Sequence, residues 1–377
     1  MSRPDPIANA MQAAVEGGVF PGAVLLVRLR GALVYHRAVG CAALIPAKEP
    51  ARLETIYDLA SLTKPLATAT AVLSLVQDGR VSVEDPLQKH VEELKGSAIG
   101  EATIYHLLTH SSGLPAWRPL YERIAEENRR VSGFLGGPAA RQLALTLIKG
   151  EPLETPVGAR SCYSDVGFIL LGMLVERVSG RSLPVLCRER VFDPMQALLY
   201  FLGPGGAAQG SEARPDVRLI APTEDDPWRG RMLRAEVHDE NAYAMGGAAG
   251  HAGLFGTASA VSAVTGQWLD SYAGRSCVLS PDLVKRFVAR QDRIAGSSWA
   301  LGWDTPSAPS SAGRRFSAAS FGHLGYTGTS IWIDPAAELE VVLLSNRVHP
   351  TRRNEAIKQF RPLIHDVIYE ELATSSR

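Results

Sequence analysis

The apolar pattern begins with an amphipathic helix over Pro6–Glu16, ended by Gly17-Gly18. Two strand-like runs follow, Gly22–Arg28 and Leu33–Val39; their junction at Arg30-Gly31 predicts an antiparallel hairpin. A short strand, Ile56–Leu59, leads towards Ser61. From there to about Arg290 the periodicity is mostly helical, over Leu66–Gln77, Ile104–Leu108, Ala139–Ile148, Gly167–Val178, Ala258–Leu269 and Pro281–Ala289. Turn-rich connectors such as Ser132–Pro138 and Gly203–Gly210 separate these segments. Strand character returns at Trp299–Trp303, Phe321–Tyr326, Thr329–Ile333 and Leu339–Leu344. A small polar loop, Pro306–Gly313, joins two of these runs, and Arg353–Glu371 reads as a closing helix.

Strands therefore lie at both ends of the chain with a helical block between them. This order predicts an α/β (α+β) protein: an antiparallel sheet flanked by terminal helices, built from residues 1–62 and 291–377. A large, mostly helical insert over 63–290 makes a second lobe, and a ligand is expected in the cleft between the two. Ser61 falls at the junction. A chain of 377 residues is long enough for two such lobes.

Charge narrows the partners. Formal net charge is zero and the arginines are scattered, which argues against nucleic acid. Met1–Pro6 lacks the basic-then-apolar pattern of a secretory signal, and Ala23–Val27 is too short to span a bilayer, so a cytoplasmic protein without membrane contact is expected. Cys41, Cys162, Cys187 and Cys277 are widely spaced with no C-x-x-C pair, and read as buried free thiols of a reducing compartment. Oligomeric state is left open.

Candidate chemistry starts at Ser61-Leu62-Thr63-Lys64. On a helix, residues three apart share a face, so Lys64 can bring its amine to the Ser61 hydroxyl. An opening helical turn also offers free N–H groups to a developing anion. Chance alone supplies about half a match to S-x-x-K in such a chain, so the pattern gains weight only from its companions. These are Tyr163-Ser164-Asp165, just ahead of a helix starting near Gly167, and His323-Leu324-Gly325-Tyr326 in a glycine-rich strand.

In these three patterns, in this order, the chain resembles the serine β-lactamases, penicillin-binding proteins, D-aminopeptidases and related esterases, nearest to the class C-like branch. S-D-N and K-T-G accompany S-x-x-K in another branch. The resemblance extends to Leu107–Pro115, Val237–Ala242, Gly246–Phe255 and Leu344–Arg347. It implies a β-lactamase/transpeptidase-like fold and an acyl-enzyme mechanism. Ser61 would be the nucleophile, with Lys64 or Tyr163 taking its proton and the N–H groups of Ser61 and Tyr326 forming an oxyanion hole. Gly325 and Gly328 suit a strand edge that lets substrate approach closely.

Two positions depart from the pattern. Asp165 stands where Asn is usual; its carboxylate would favour protonated Lys64 and move the base role towards Tyr163. His323 replaces a lysine that anchors carboxylates, and a mostly neutral imidazole suits anionic β-lactams poorly. The reading is a serine hydrolase of small esters or amides, with an esterase first. Alternatives are a D-aminopeptidase or D-amino-acid amidase, a D-Ala-D-Ala carboxypeptidase, a weak β-lactamase, an acyltransferase or a non-catalytic binding homologue. No cofactor or metal is called for. His238, Asp239, Glu240 and His251 match no metal-ligand spacing and are expected to line the cleft or form structural hydrogen bonds. Gly247, Gly250 and Gly253 lack the surroundings of a phosphate loop and predict a tight turn.

Overall fold

A six-stranded antiparallel sheet carries both ends of the chain. The computed structural model describes residues 5–210 and 215–373; Met1 to Pro4, part of the segment inspected for a secretory signal, lie outside them. The strands are β1 (Gly22–Leu29), β2 (Ala32–Ala43), β3 (Glu49–Pro50), β4 (Phe321–Leu324), β5 (Ser330–Asp334) and β6 (Leu339–Ser345). Their order is β3-β2-β1-β6-β5-β4, so β1 lies beside β6, with Leu25 opposite Leu343.

The apolar runs in β1, β5 and β6 are continuous because both faces of the sheet are covered. Period-two alternation divides them. Ala23, Leu25, Val27, Trp332, Val341 and Leu343 pack under helices α1 (Pro6–Glu16) and α5 (Ile357–Ile368). Val24, Leu26, Ile331, Ile333, Val342 and Leu344 face the larger core. That core also holds α2 (Thr70–Gln77), α3 (Asp165–Ser179) and α4 (Ala258–Tyr272). Among the described residues no helix is long and apolar enough to cross a membrane.

Three expectations need correction. Trp299–Trp303 is a turn, not a strand: the Ala300 N–H donates to the Trp303 carbonyl at 2.8 Å. Gly302 takes φ +85°, and among the described residues Trp299 alone of this run bridges, to Asp304, which also bridges Gly322. The apolar run is explained by burial of Leu301 and Trp303 in the larger core. The closing helix starts at Ile357, not Arg353, since the Asn354 side chain is drawn to the Gly18 carbonyl at 2.7 Å and caps Ala356 at 3.0 Å. Of the four free thiols only Cys187 is buried, and Cys277 is exposed. Leu120–Arg130, a helix that the sequence reading left out, has just Leu120 and Ile124 buried, too sparse an apolar face to stand out.

Candidate active site

Ser61 sits on a strained turn. The short strand Tyr57–Asp58, paired with Leu254–Gly256, delivers the chain to Ala60, whose φ of +47° is unusual for a residue with a Cβ. Hydrogen bonds hold it there. The Ala60 N–H donates to Asp58 Oδ1 at 2.8 Å, and Thr63 Oγ1 donates to the Ala60 carbonyl at 2.6 Å. Ala60–Leu62 forms a 3₁₀ turn that passes into a π-helical turn over Lys64–Ala69 before α2.

Lys64 is fully buried beneath the cleft floor and spends all three donors, on Ser61 Oγ (3.0 Å), Asp165 Oδ1 (2.7 Å) and the His251 carbonyl (3.2 Å). Asp165 opens α3, where the helix dipole favours a carboxylate, and Ser164 caps that helix by accepting from the Gly167 N–H at 3.1 Å. Burial alone would drive Lys64 towards a neutral amine, but the charge of Asp165 and the neighbouring Tyr163 outweigh it. The result is an ammonium held above its ordinary pKa.

Tyr163 stands beside Ser61 and the ammonium, which themselves lie 3.0 Å apart. Lys64 Nζ lies 4.8 Å from its ring centroid, and Tyr163 shares the cleft with Ser61. Burial pushes the phenol up to about 12 despite the ammonium. Tyr163 is therefore a phenol at neutral pH. Behind it, His110 packs 4.7 Å from the Tyr163 ring and 4.3 Å from Trp299, and accepts the Ser164 N–H at 3.0 Å.

The opposite wall is β4 and the turn after it. His323 Nδ1 lies 2.8 Å from the Leu324 carbonyl, which can only accept, so the neutral ring donates from Nδ1. Burial drives its pKa down to about 3, and Nε2 is an acceptor without a partner among the described residues. Gly325 has no room for a side chain: a Cβ there would lie 1.9 Å from Thr329 Oγ1. Two hydroxyls tie this turn to the Ser61 segment, Thr327 Oγ1 to the Asp58 carbonyl at 2.7 Å and Thr329 Oγ1 to the Leu59 carbonyl at 3.1 Å. Among the described residues, the backbone N–H groups of Ser61 and Tyr326 donate to no protein acceptor. The Tyr326 ring is fixed between His238, 5.7 Å away, and Arg347, 4.4 Å away.

A cleft of about 790 Å³ brings Ser61, Tyr163, Asp165, His323, Gly325 and Tyr326 to one space. His238, Asp239, Glu240 and His251 line it too, each hydrogen-bonded to the protein. His238 Nε2 meets Glu224 at 2.9 Å, His251 Nε2 meets Asp239 at 2.8 Å, and Arg352 meets Glu240 at 2.9 Å. Gly250 serves close packing, since a Cβ would lie 2.0 Å from the Phe168 carbonyl. Gly247 and Gly253 turn at φ +95° and +114°. Sequence reasoning gave no role to Asp58, Thr327 and Thr329, which act on backbone and belong to no short pattern of their own, and it noted His110 only within Leu107–Pro115.

Known proteins share this architecture. An Escherichia coli (strain K12) protein named "Putative D-alanyl-D-alanine carboxypeptidase" is 31% identical over 353 residues, covering 88% of this chain and 79% of the relative. A Bacillus subtilis (strain 168) N-acetylmuramyl-L-alanine amidase is 29% identical over 351 residues, covering 88% of this chain and 78% of the relative. Among solved structures, EstCE1, a hydrolase with promiscuous acyltransferase activity, superposes with a TM-score of 0.72 at 20% identity, covering 96% of this chain and 97% of its own; this likeness speaks to the fold. Residues 7–364 match the family described as Beta-lactamase, and the chain belongs to that family as a serine beta-lactamase-like hydrolase.

Proposed function

We propose that this hydrolase cleaves small uncharged esters through an acyl-enzyme on Ser61. One observation carries the reading: Ser61 Oγ opens onto the cleft while held 3.0 Å from a buried, ion-paired ammonium, with the half-buried Tyr163 phenol beside them. With Lys64 charged and Tyr163 protonated, neither is a free base, so Tyr163 acts as a relay. As Ser61 Oγ bonds to the acyl carbon, the Tyr163 proton moves ahead to the ester's alkoxy oxygen, the Ser61 proton follows onto Tyr163 Oη, and the C–O bond breaks to release the alcohol. The ammonium steadies the partial phenolate. Water then reverses the path, giving a proton to Tyr163 while Ser61 regains one. The N–H groups of Ser61 and Tyr326 face the oxyanion; such a donor is worth about 3–4 kcal/mol.

An uncharged substrate follows from His323, an acceptor with no charge to pair with a carboxylate. A second reading, cleavage of a D-configured amide, is favoured by the names of the two relatives. A panel of short-chain nitrophenyl esters, D-amino-acid anilides and a chromogenic cephalosporin, run on wild type and Ser61→Ala, separates them. Ester turnover dependent on Ser61 is expected. Turnover of anilides alone would favour the second reading, and no Ser61-dependent turnover would overturn both.

A further inference from the structure

We propose that Arg361 positions and polarises the Tyr326 N–H, so that a guanidinium on the C-terminal helix sets the strength of the oxyanion hole. The inference rests on the acyl-transfer reading above. Arg361 is 5% exposed, and its Nη2 donates to two carbonyls at once, Gly325 and Thr329, each at 2.7 Å. The Gly325 carbonyl and the Tyr326 N–H belong to a single planar peptide in which C=O and N–H point opposite ways. Anchoring the carbonyl on the Arg361 side therefore directs the N–H away from it. Tyr326 and Ser61 line the same cleft, and that N–H has no acceptor among the described residues.

Charge strengthens the effect. A hydrogen bond from a cation to a carbonyl is stronger than a neutral one and draws electron density through the peptide, making its N–H a better donor. Among the described residues no carboxylate lies within ion-pair distance of Arg361, and its Nε has no partner. Burial, with Arg347 adding, pulls its pKa down to about 9, which leaves it charged at neutral pH. Arg347, near enough to help Lys358 lower the Glu355 carboxyl pKa, donates to the Tyr326 carbonyl at 2.8 Å. An uncompensated buried cation is costly in a resting protein. It becomes favourable when a negative charge forms one peptide away.

The test compares a nitrophenyl ester with its thionoester analogue in the full-length wild type, Arg361→Met and Arg361→Lys. Sulfur accepts hydrogen bonds poorly, so the oxo-to-thiono ratio of kcat reports oxyanion stabilisation and is independent of the fraction of folded enzyme. Arg361→Met is expected to lower kcat for the oxo ester about 10–100-fold with little change in KM, and to lower the ratio about tenfold. Arg361→Lys keeps the charge and loses the fork, so the ratio should fall about two- to threefold. A reduced kcat with an unchanged ratio, in either variant, assigns Arg361 a packing role and overturns the proposal. If Arg361→Met does not fold, the lysine variant alone decides. Absence of Ser61-dependent turnover in the wild type would overturn the acyl-transfer reading instead.

Discussion

The two walls of the cleft are built on opposite electrostatic plans. On the wall of α2 and α3, Lys64 faces Asp165 at 2.7 Å and donates directly to Ser61 Oγ at 3.0 Å, with the Tyr163 phenol alongside. On the wall of β4, Arg361 and Arg347 lie against the Gly325–Tyr326 backbone and donate to carbonyls, with no carboxylate in ion-pair contact among the described residues. The difference matches the tasks proposed for them. A relay passes protons without changing its own charge, so balance suits it. An oxyanion hole must receive a charge that the resting enzyme lacks, so a positive excess suits it. The same fold thus keeps one buried cation neutralised and others not.

The most severe way to break the comparison is Lys64→Met. It removes the ammonium that steadies Tyr163 and leaves Asp165 without its ion pair. We expect kcat on a nitrophenyl ester to fall about 10³-fold or more, as for loss of a triad member. A loss under about tenfold would mean that Tyr163 works without the cation. Asp165→Asn sharpens the point at smaller cost, about 10–100-fold. Without the carboxylate, burial becomes dominant and lowers the Lys64 pKa. The wild-type rate should be flat from about pH 7 to 8, below the Arg361 pKa, whereas the Asn variant should lose activity over that range as the amine discharges. A pH–rate profile unchanged by the substitution would count against Asp165 as the counter-charge.

How far each wall could be read in the sequence follows the same division. Ser61, Lys64, Tyr163 and Asp165 lie on short, spaced patterns, their proposed roles are side-chain roles, and the structure brings all four together. The strands and long helices were likewise legible from period two and period 3.6. The β4 wall works through backbone, and its shape is set by residues far away in the chain. Thr327 ties to Asp58, which lies 269 positions earlier, and Arg361 reaches Gly325 across 36. No local pattern records such ties. Trp299–Trp303 misled for a related reason: an apolar run reports burial, and a buried turn around Gly302 buries as much as a strand does.

The joint between the walls can be cut with Thr327→Val, nearly isosteric but without the hydroxyl. It leaves the Asp58 carbonyl without this buried donor and should cost about 1–3 kcal/mol in urea unfolding. By loosening the Tyr326 N–H relative to Ser61 it should also lower kcat about tenfold, since one displaced oxyanion donor costs up to 10²–10³. Lost stability with full activity would mean that the walls are aligned without this tie.

The smallest effect separates the walls by pH. His323, on the β4 wall, has its pKa lowered from 6.5 to about 3 by burial, with the Lys64 charge adding. The unfolded chain takes up that proton below about pH 6.5, while the folded protein waits until about 3. Stability present above 6.5 is therefore lost as pH falls through this window, by at most about 1.4 kcal/mol per pH unit for one group. Lys64 has the opposite sign: its raised pKa gives stability that is complete below its ordinary 10.5 and lost as pH rises through the folded value. His323→Gln should thus flatten the acid limb of a urea-unfolding series between pH 6.5 and 3, by up to that slope, and leave the alkaline limb unmoved. His110, whose pKa is also lowered well below 6.5, and His365, lowered to about 4, keep the rest of the acid limb in place. The slope is the proper readout, because replacing His323 also changes stability at every pH through packing. An acid limb as steep in His323→Gln as in wild type would mean that His323 takes up its proton in the folded protein, and the β4 wall would then carry a third cation instead of a neutral acceptor.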